Sequence, residues 1–424
     1  MKYITRIADS QISNELSLFG GLLVEGPKWC GKTWAARNAC KSEYAVADPA
    51  GNFRNRELAL LNPQSALIGA QPHLIDEWQE VVALWDTVRF EIDRTGEKGQ
   101  FILTGSSTPS DERIFHSGAG RIGRIRLETM TLTELGLVEP NISLGKLLAG
   151  DINWESGQYI GRFDLQKITD ILTRGGWPGL INTATEGCTT VLDSYLKDIS
   201  EVDMSKIDNK RRDPDKVMAI IRSLSRNIAT TVKYATIAKD ISAFSSTAIT
   251  EDTAADYYEC LKRLFLAHDI LAWDPPLKSA ARLRRAPKRI LADSSLAVAA
   301  LGANPKALME DPKLVGSLFE NLVIHDLIVY ACANQAKVKH YQDNSGLKVD
   351  AIIEKTDGTW GGIEIKLGYY KEDEAASSLL KLKNKLELTR QKEPAFLAVV
   401  VGIGSYSKIR SDGVLVIPID HLTL

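Results

Sequence analysis

The sequence predicts an α/β protein in three parts: a parallel sheet with helices, a helical middle region, and a second α/β region at the C-terminus. Short apolar runs alternate with amphipathic stretches over residues 1–145, which is the pattern of strand–helix units around a parallel sheet. From about 160 to 270 the apolar residues recur at spacings of three and four, as they do in helices. After about residue 290, strand-like apolar runs return.

The chain has 424 residues, a net charge of −2, 44% hydrophobic residues and 25% charged residues, which is ordinary for a soluble protein of several domains. Its five cysteines are scattered and form no CxxC pair, so we expect a reducing compartment and neither a disulfide framework nor a zinc site. The N-terminus lacks an apolar signal core, and the longest apolar run, 395–404, is about half a membrane span. We therefore expect a cytoplasmic protein that does not enter a membrane.

Proline and glycine mark the expected domain boundaries, near Gly150, near Asp213-Pro214 and near Asn304-Pro305. The predicted strands of the first region are GGLLVEG (20–26), EYAVAD (43–48), HLIDE (73–77), QFILTGSS (100–107) and RIRLE (124–128). Those of the last region are VKHYQD, LKVDAIIE, WGGIEIK, AFLAVVVG and GVLVIPI, with helices over LVGSLFENLVIHDLIVYA and EDEAASSLLKLKNKLEL. The predicted parts are residues 1–150, 151–213, 214–304 and 305–424.

A glycine-rich segment, GPKWCGKT, follows the first predicted strand and precedes the helix-compatible WAARNA. It matches GxxxxGK[ST], in which the glycines let backbone N–H groups point at phosphates. Lys32 can then reach the β- and γ-phosphates, and Thr33 can offer its hydroxyl to Mg²⁺. The predicted nucleotide-binding residues of this segment are Gly26, Pro27, Lys28, Trp29, Cys30, Gly31, Lys32 and Thr33.

Two further strands supply the rest of a nucleotide site. In HLIDEWQ an apolar strand delivers Asp76 and Glu77 to its carboxyl end. In this Walker B arrangement Asp76 holds Mg²⁺ and Glu77 polarises the attacking water, whereas the alternative is two solvated acids. The strand QFILTGSS ends in Thr104, Ser106 and Ser107, and Ser106 is a candidate γ-phosphate sensor or part of a turn. The sequence has no NKxD motif, so we predict that the nucleotide is ATP.

Arg121 and Arg124 in GAGRIGRIRLE are candidates for an arginine finger that stabilises transition-state charge, and we take Arg121 as the catalytic candidate. A structural salt bridge is an equal alternative. The sequence does not decide whether such an arginine acts on its own nucleotide or on that of a neighbour, so a homo-oligomer stays open.

The stretch 233–271 predicts a short helix, a break and a longer helix, spaced as in a helix-turn-helix. A strand, a basic loop and a strand follow and would form a wing whose cations bind DNA phosphates. The longer helix carries four acids, which argue against its insertion into the major groove, and the alternative is a solvated loop on a protein-interaction domain. These acids are Glu251, Asp252, Asp256 and Glu259. The predicted DNA-binding residues are Lys278, Arg282, Arg284, Arg285, Lys288 and Arg289.

In the last region Glu364 and Lys366 share one face of a predicted strand, and a TDGT turn lets Asp350 pair beside them. Glu320 lies on the preceding helix, and a lysine-rich helix follows. This order is that of PD-(D/E)xK nucleases, in which acids hold Mg²⁺ or Mn²⁺ and the lysine orients the attacking water or stabilises the phosphorane. We expect Glu320, Asp350 and Glu364 as metal ligands, with Glu364 and Lys366 as catalytic residues. The alternative is an exposed hairpin with cross-strand charge pairs.

This set of motifs resembles a family of prokaryotic AAA+-type P-loop ATPases with a C-terminal domain of unknown function. The resemblance rests on GPKWCGKT, LIDEWQ, ILTGSS, AGRIGRIRLETMTLTE, RGGWPGL, GSLFENLV and KVDAIIE with IEIK, and it spans nearly the whole chain. It implies a P-loop AAA+-type parallel sheet, a helical and winged-helix middle, and a C-terminal α/β restriction-endonuclease-like domain. It also supports the nucleotide roles of Lys32, Thr33, Asp76 and Glu77 and a nuclease-like cluster of Glu320, Asp350, Glu364 and Lys366.

Two positions depart from that family. Lys348 stands two positions before Asp350, where the family usually has glutamate, and a basic residue there would weaken metal binding or contact phosphate. Trp29 and Cys30 stand in the P-loop where polar or small residues are usual, so Trp29 would stack on the nucleotide or pack within the protein.

We therefore expect a protein that binds and hydrolyses ATP and acts on DNA, with a metal-dependent nuclease-like domain gated by the ATPase. The alternative, motivated by Lys348 and the acidic helix, is an ATP-dependent switch whose nuclease-like domain is inactive and binds DNA or a protein partner. Protein remodelling by an oligomeric ring is a third hypothesis, and the sequence shows no pore-loop signature for it.

Overall fold

The N-terminal region is built on a parallel sheet, as the sequence predicts. The computed structural model describes residues 3–107, 116–208, 210–244, 249–273, 286–387 and 392–424. Between Gly21 and Arg126, five described strands pair in the order β2-β3-β4-β1-β5. They are β1 (Gly21–Glu25), β2 (Ser42–Ala45), β3 (His73–Asp76), β4 (Phe101–Gly105) and β5 (Ile122–Arg126).

Helices cover both faces of this sheet, so its strands are apolar on both sides. Leu22 and Val24 pack with the first two helices of the chain on one face, whereas Leu23 packs with the helix between β3 and β4 on the other. Alternate side chains of β1 therefore belong to two separate hydrophobic cores, one on each face of the sheet. The helices and the short strand that follows are α1 (Ala8–Leu18), α2 (Lys32–Ala39), α3 (Ala50–Leu61), α4 (Ala83–Thr95), β6 (Ile142–Ser143) and α5 (Leu144–Leu148).

The middle region is helical, as predicted, and ends in a two-stranded antiparallel ladder. Its second predicted helix begins at Glu251, where the Thr250 side chain accepts a hydrogen bond from the N–H of Thr253 and so caps the helix. The helices are α6 (Leu165–Arg174), α7 (Thr185–Asp198), α8 (Met204–Lys206), α9 (Pro214–Arg226), α10 (Tyr234–Phe244) and α11 (Glu251–Arg263), with a π-helical segment, Ile199–Asp203, before α8. The ladder and the helices after it are β7 (Ala267–Ile270), β8 (Lys288–Leu291), α12 (Ser294–Ala300) and α13 (Pro305–Met309).

The C-terminal region holds a mixed sheet with a long helix on each face. Over the described residues its strand order is β13-β14-β12-β11-β10-β9, with β9, β10 and β11 antiparallel and β11, β12 and β14 parallel. The helix before β9 packs on the face of Ile363 and Ile365, and the helix between β11 and β12 packs on the face of Val399 and Val401. The elements are α14 (Pro312–Ala333), β9 (Ala336–Gln342), β10 (Lys348–Lys355), β11 (Trp360–Gly368), α15 (Glu372–Glu387), β12 (Phe396–Ile403), β13 (Lys408–Ile409), β14 (Leu415–Pro418) and β15 (Leu422–Thr423).

The regions are packed against one another. One buried apolar cluster extends from Leu132 through the middle helices to Ile365 and Leu422, and β15 pairs with β6 of the N-terminal part. Helix α14 is the one described helix long and apolar enough to cross a membrane, yet 61% of its apolar window is buried inside the fold. Such burial is typical of a core helix in a soluble protein. The exact domain boundaries stay predictions.

Candidate functional site

The P-loop between β1 and α2 has the backbone geometry that its glycines allow. Gly26 has a φ of +153°, and a Cβ there would lie 2.1 Å from the carbonyl oxygen of Leu127. Gly31 has a φ of +102° and precedes α2 directly, so the positive end of that helix faces the loop. The buried Lys32 Nζ donates to the carbonyl oxygen of Pro27 at 2.8 Å. The loop is thus closed over the lysine expected to bind phosphates.

Thr33 and Asp76 lie side by side, as the sequence predicts for a shared magnesium site. Thr33 Oγ1 donates to Asp76 Oδ1 at 2.8 Å, and Thr104 Oγ1 donates to the same oxygen at 2.5 Å. The three side chains come from α2, β3 and β4, which meet at the carboxyl edge of the parallel sheet. Hydroxyl and carboxylate oxygens are the donors that Mg²⁺ prefers, so these residues fit that ion. Their binding of it stays a prediction.

Glu77 is held in an uncommon backbone conformation by its neighbours. Its φ is +58°, a region that side-chain-bearing residues rarely occupy and that often marks functional sites. Its N–H donates to Thr104 Oγ1 at 3.1 Å, and its carboxylate accepts from Gln79 and, at 3.3 Å, from Ser106 Oγ. Ser106 therefore contacts the proposed catalytic acid, whereas Thr104, at the end of the same strand, contacts Asp76.

The unusual residues of the P-loop pack within the protein, Trp29 against the middle region and Cys30 against the segment after β5. Trp29 stacks on Trp177, with ring centroids 6.1 Å apart and an interplanar angle of 25°. Cys30 is buried and its thiol donates to the Leu127 carbonyl at 3.3 Å. Both residues therefore have a structural reason to depart from the usual P-loop composition, and stacking of Trp29 on a nucleotide stays a prediction.

A cavity of about 620 Å³ opens beside Lys32 and Thr33, a volume within the range of small-molecule sites. The P-loop forms one side of it, and the N-terminal segment and the RGGWPGL turn form others. No local pattern in the sequence indicates these walls, because they join the N-terminal segment and the start of α2 to a turn more than 140 residues further along the chain. They are Tyr3, Ile4, Trp34, Pro178, Gly179 and Ile181.

Arg121 lies at the edge of the sheet opposite to the P-loop. Its carbonyl accepts from the N–H of Gly21, at the start of β1, whereas the P-loop follows the end of that strand, about 16 Å away for five residues. Its Nε donates to Asp93 at 2.8 Å. The prediction that Arg121 is an arginine finger for the nucleotide of its own chain is therefore wrong. Its action on the nucleotide of a neighbouring copy stays a prediction.

Arg124 forms a structural salt bridge, which is the alternative to a role as an arginine finger. Its guanidinium lies 3.6 Å from Glu25 and 5.1 Å from the centroid of the Trp85 ring. These contacts fasten β5 to β1 and to α4.

The predicted residues of the C-terminal cluster meet across β10 and β11. Lys366 Nζ lies 2.5 Å from Glu364 Oε2 and 3.2 Å from Asp350 Oδ2. The backbone N–H of Ile365 donates to Asp350 Oδ2 at 2.9 Å. The structure therefore brings Asp350, Glu364 and Lys366 together.

A second lysine, which we did not expect there, joins this cluster. Lys288 begins β8 in the middle region and is buried. Its Nζ lies 2.5 Å from Glu320 Oε1, 3.0 Å from the carbonyl oxygen of Asp350 and 3.7 Å from Asp350 Oδ1. The prediction that Lys288 binds DNA on an exposed wing is therefore wrong, because its ammonium is engaged by these carboxylates.

Arg289 is buried as well, and its predicted DNA contact is wrong because its guanidinium packs inside the protein. Its guanidinium lies 3.9 Å from the ring centroid of Tyr234 and 4.7 Å from that of Tyr258, so it fastens β8 to the helices of the middle region. The sequence predicts a basic DNA-binding loop up to Arg289, whereas its last two residues begin the buried strand KRIL. The other predicted DNA-binding residues, Lys278, Arg282, Arg284 and Arg285, lie outside the described residues.

The charges of the cluster shift the protonation of its carboxyl groups. Burial would raise the pKa of Asp350, but the adjacent Lys288 and Lys366 ammonium groups lower it to about 2. Burial and the charge of Asp350 raise the pKa of Glu320 to about 7 and raise that of Glu364 as well. Asp350 thus keeps its charge, whereas the two glutamates hold protons more readily than usual. Carboxylates in this arrangement are donors that fit Mg²⁺ or Mn²⁺.

A buried arginine ties the P-loop to the segment after β5. Arg6 donates to the Cys30 carbonyl at 3.0 Å, to the Glu128 carbonyl at 2.9 Å and to Glu134 Oε1 at 3.0 Å. Glu134 also accepts from the N–H of Ile7 at 2.7 Å. The motif ending in LETMTLTE, whose role the sequence did not reveal, is therefore joined to the P-loop through Arg6, and we call this contact region the joint.

The same segment is hydrogen-bonded to α14. Thr129 Oγ1 lies 3.0 Å from His325 Nε2, and the N–H of Leu132 donates to Asp326 Oδ2 at 2.9 Å. His325 Nδ1 lies 2.9 Å from Asp326 Oδ1. Helix α14 also carries Glu320, so one rigid element connects this joint with the carboxylate cluster.

Two buried histidines beside this joint have opposite pKa shifts. Burial alone would lower the pKa of His325. The negative charges of Asp326, Asp293 and Glu128 outweigh burial and raise this pKa to about 9. For His268, burial and the nearby Arg126 lower the pKa to about 3.

We expect the free energy of unfolding to depend on pH through these histidines. The unfolded pKa is 6.5, so the stabilisation from His325 is complete below pH 6.5 and is lost as the pH rises to 9. For His268 the unfolded chain binds the proton first, so stability falls as the pH drops from 6.5 towards 3. Each slope reaches at most about 1.4 kcal/mol per pH unit.

Urea unfolding at pH 7, 8 and 9 tests the alkaline side of this prediction. The wild-type protein should lose stability over this range, and His325→Gln should lose less per pH unit because it has no proton to release. His421→Gln, which changes a histidine away from this joint, is the control and should keep the wild-type slope. Equal slopes for His325→Gln and the wild type would contradict the assignment.

The comparisons with known proteins divide the chain into three matched parts. Residues 20–136 match the family model described as an AAA domain. This match supports an AAA+-type ATPase with a P-loop that binds ATP. Residues 165–307 and 315–422 match two domains of unknown function, DUF8612 and DUF4143.

The similar proteins and solved structures are all distant from this chain in sequence. The uncharacterized protein Rv2008c of Mycobacterium tuberculosis is 23% identical over 349 residues, which are 81% of this chain and 70% of that protein. The Walker-type ATPase PABY2304 of Pyrococcus abyssi is 14% identical, over 70% of this chain and 96% of its own, with a TM-score of 0.45. The Orc1 protein of Aeropyrum pernix, solved in complex with DNA, is 12% identical, over 72% of this chain and 92% of its own, with a TM-score of 0.27. At these TM-scores the likeness carries no argument about this chain.

Proposed function

We propose that this chain is a cytoplasmic ATP-hydrolysing protein that acts on DNA through a metal-dependent phosphodiester-cleaving centre in its C-terminal region. The observation that carries the proposal is the meeting of Asp350, Glu364 and Lys366 across β10 and β11. Two acids beside a lysine are the groups that metal-assisted phosphodiester hydrolysis requires.

The connectivity around the cluster supports the same proposal. The order α14, β9, β10, β11, α15, β12, with one acid on β10 and the acid–lysine pair on β11, is the order expected of PD-(D/E)xK nucleases. The β7–β8 ladder follows α10 and α11 directly, as the wing of a winged helix would. These likenesses support a DNA substrate.

At the nucleotide site each residue has a distinct task. Lys32 and the N-terminus of α2 would hold the phosphates, Thr33 and Asp76 would hold Mg²⁺, and Glu77 would take the proton of the attacking water. Magnesium, when bound, would neutralise charge that develops on the transferred phosphoryl group.

At the C-terminal site Asp350 and Glu364 would hold the divalent cation, which supplies Lewis acidity when bound. Lys366 would orient the attacking water or stabilise the pentavalent phosphorus. Because Lys366 contacts both carboxylates, it is placed to act on a phosphate bound beside them.

A continuous set of hydrogen bonds supports control of this centre by ATP. Arg6 joins the P-loop to the segment of Glu128 and Glu134, and that segment joins α14 at Asp326. A change in P-loop position on ATP binding would therefore be carried to Glu320, which lies on the same helix.

DNA cleavage tests the proposal directly. Single- and double-stranded DNA are incubated with the protein, ATP and Mg²⁺ or Mn²⁺, beside Glu364→Ala and Lys32→Ala. We expect the wild type to cleave, Glu364→Ala to lose cleavage because a metal ligand is gone, and Lys32→Ala to lose ATP turnover and the ATP dependence of cleavage. The control Glu354→Ala changes an acid of β10 that pairs with Lys339 instead and should cleave normally. Cleavage that persists in Glu364→Ala would overturn the site.

A second candidate function is an ATP-dependent switch whose C-terminal cluster does not cleave and binds DNA or a protein partner. The position of the Lys288 ammonium within the cluster favours it, because a cation already contacts two of the carboxylates that would bind a metal. Intact ATP hydrolysis without cleavage of any DNA would support this candidate.

A further inference from the structure

We propose that the C-terminal cluster takes one divalent cation, between Asp350 and Glu364, and that the ammonium group of Lys288 permanently fills a second cation position, between Asp350 and Glu320. The inference rests on the proposed function and adds to it the metal count and a residue from the middle region. The centre is then a composite of two regions of the chain.

The carboxylates of the cluster are bridged in pairs. Lys366 Nζ lies 2.5 Å from Glu364 Oε2 and 3.2 Å from Asp350 Oδ2. Lys288 Nζ lies 2.5 Å from Glu320 Oε1 and 3.7 Å from Asp350 Oδ1. Asp350 is thus shared by two cation positions, one on each side of its carboxylate.

The two lysines differ in how firmly they are held. The Lys366 side chain is 20% exposed, and its Nζ contacts carboxylates alone among the described hydrogen bonds, so it can move aside for a metal ion. The Lys288 side chain is 9% exposed and its Nζ also donates to the Asp350 carbonyl at 3.0 Å. Lys288 is therefore the cation that stays.

The backbone that carries Lys288 is fixed as well. Lys288 pairs with Ile270 in the β7–β8 ladder. At the other end of β8, the buried Asn321 side chain accepts from the Leu291 N–H at 3.0 Å and donates to the Leu291 carbonyl at 3.1 Å. Asn321 follows Glu320 on α14, and Leu291 ends the strand that Lys288 begins. These two hydrogen bonds therefore hold the strand of Lys288 against the helix of Glu320.

The charge balance allows one divalent ion and disfavours two. With all groups ionised, the three carboxylates and two ammonium groups sum to −1. One divalent cation brings the sum to +1, whereas two would bring it to +3 in a buried site, where uncompensated charge is costly. Removing the Lys288 charge would lower that sum by one and open the second position.

The test counts bound Mn²⁺ by electron paramagnetic resonance in the nucleotide-free full chain. Ions that disappear in Asp350→Asn are assigned to the cluster, so that any Mn²⁺ at the P-loop is subtracted. We expect one cluster ion in the wild type and two in Lys288→Met, a neutral side chain of similar length. Lys288→Arg, which keeps the charge, and Lys339→Met, which removes the partner of Glu354 on the same sheet, should each bind one.

Each outcome decides the inference. Two cluster ions in the wild type or in Lys288→Arg would overturn it, and so would a count of one in a folded Lys288→Met. If Lys288→Met does not fold, the wild-type and Lys288→Arg counts still decide. The proposed function fails separately, if the protein binds one cluster ion and cleaves no DNA.

Discussion

Glu77→Gln is expected to lower ATP turnover at least about 100-fold, which is the low end of what a general base contributes, while ATP binding is retained. The amide cannot accept the proton of the attacking water. Glutamine keeps the size of the side chain and can still hydrogen-bond to Gln79 and Ser106, which contact Glu77 in the wild type. The defect should therefore lie in chemistry and not in the shape of the site.

Phosphate release in the steady state measures turnover, and the fluorescence of Trp29 and Trp34, which lie on the wall of the cavity beside the P-loop, reports binding. Glu80→Gln is the matched control, because Glu80 is exposed three residues further along and should turn over normally. Normal turnover in Glu77→Gln would mean that another group activates the water. Loss of both binding and turnover would mean that Glu77, at its φ of +58°, mainly shapes the loop.

The sequence predicted the parts of the candidate sites that depend on short spacings. The P-loop needs eight consecutive residues, and Asp76 and Glu77 are adjacent at one strand end. Asp350 and Glu364 are 14 positions apart, and a single tight turn suffices to bring their strands together. In each case local geometry alone sets which side chains meet.

The residues that the sequence did not place depend on contacts between distant elements. The sequence groups Lys288 with its basic neighbours on an exposed DNA-binding wing, because most lysines are exposed. Only the packing of β8 on α14 reveals Glu320 as its partner 32 positions away. The position of Arg121 at the amino end of the sheet follows from the parallel pairing of β5 with β1, which sets Ile122 beside Gly21. Neither fact is encoded in a local pattern.

Arg6→Met is the second change for which we expect a large effect, a loss of about 3–5 kcal/mol in the free energy of unfolding, the range for breaking one partner of a buried ion pair. The Arg6 side chain is 4% exposed and that of Glu134 is 3% exposed. The variant leaves the Glu134 carboxylate without its cation and the carbonyls of Cys30 and Glu128 without their donor. Water cannot easily replace these partners at a buried position.

Urea unfolding of three variants separates the ion pair from the other contacts of Arg6. Arg37→Met removes an exposed pair with Glu43, whose arginine is 46% exposed, and should cost at most about 1 kcal/mol. Adding Glu134→Gln to Arg6→Met should recover part of the loss, because no unpaired charge then remains buried. Since Arg6 also holds the Cys30 carbonyl of the P-loop, both variants that lack Arg6 should bind ATP more weakly, whether or not stability recovers. Recovery of stability together with wild-type ATP affinity would show that the arginine supports the fold alone and that the P-loop keeps its shape without it.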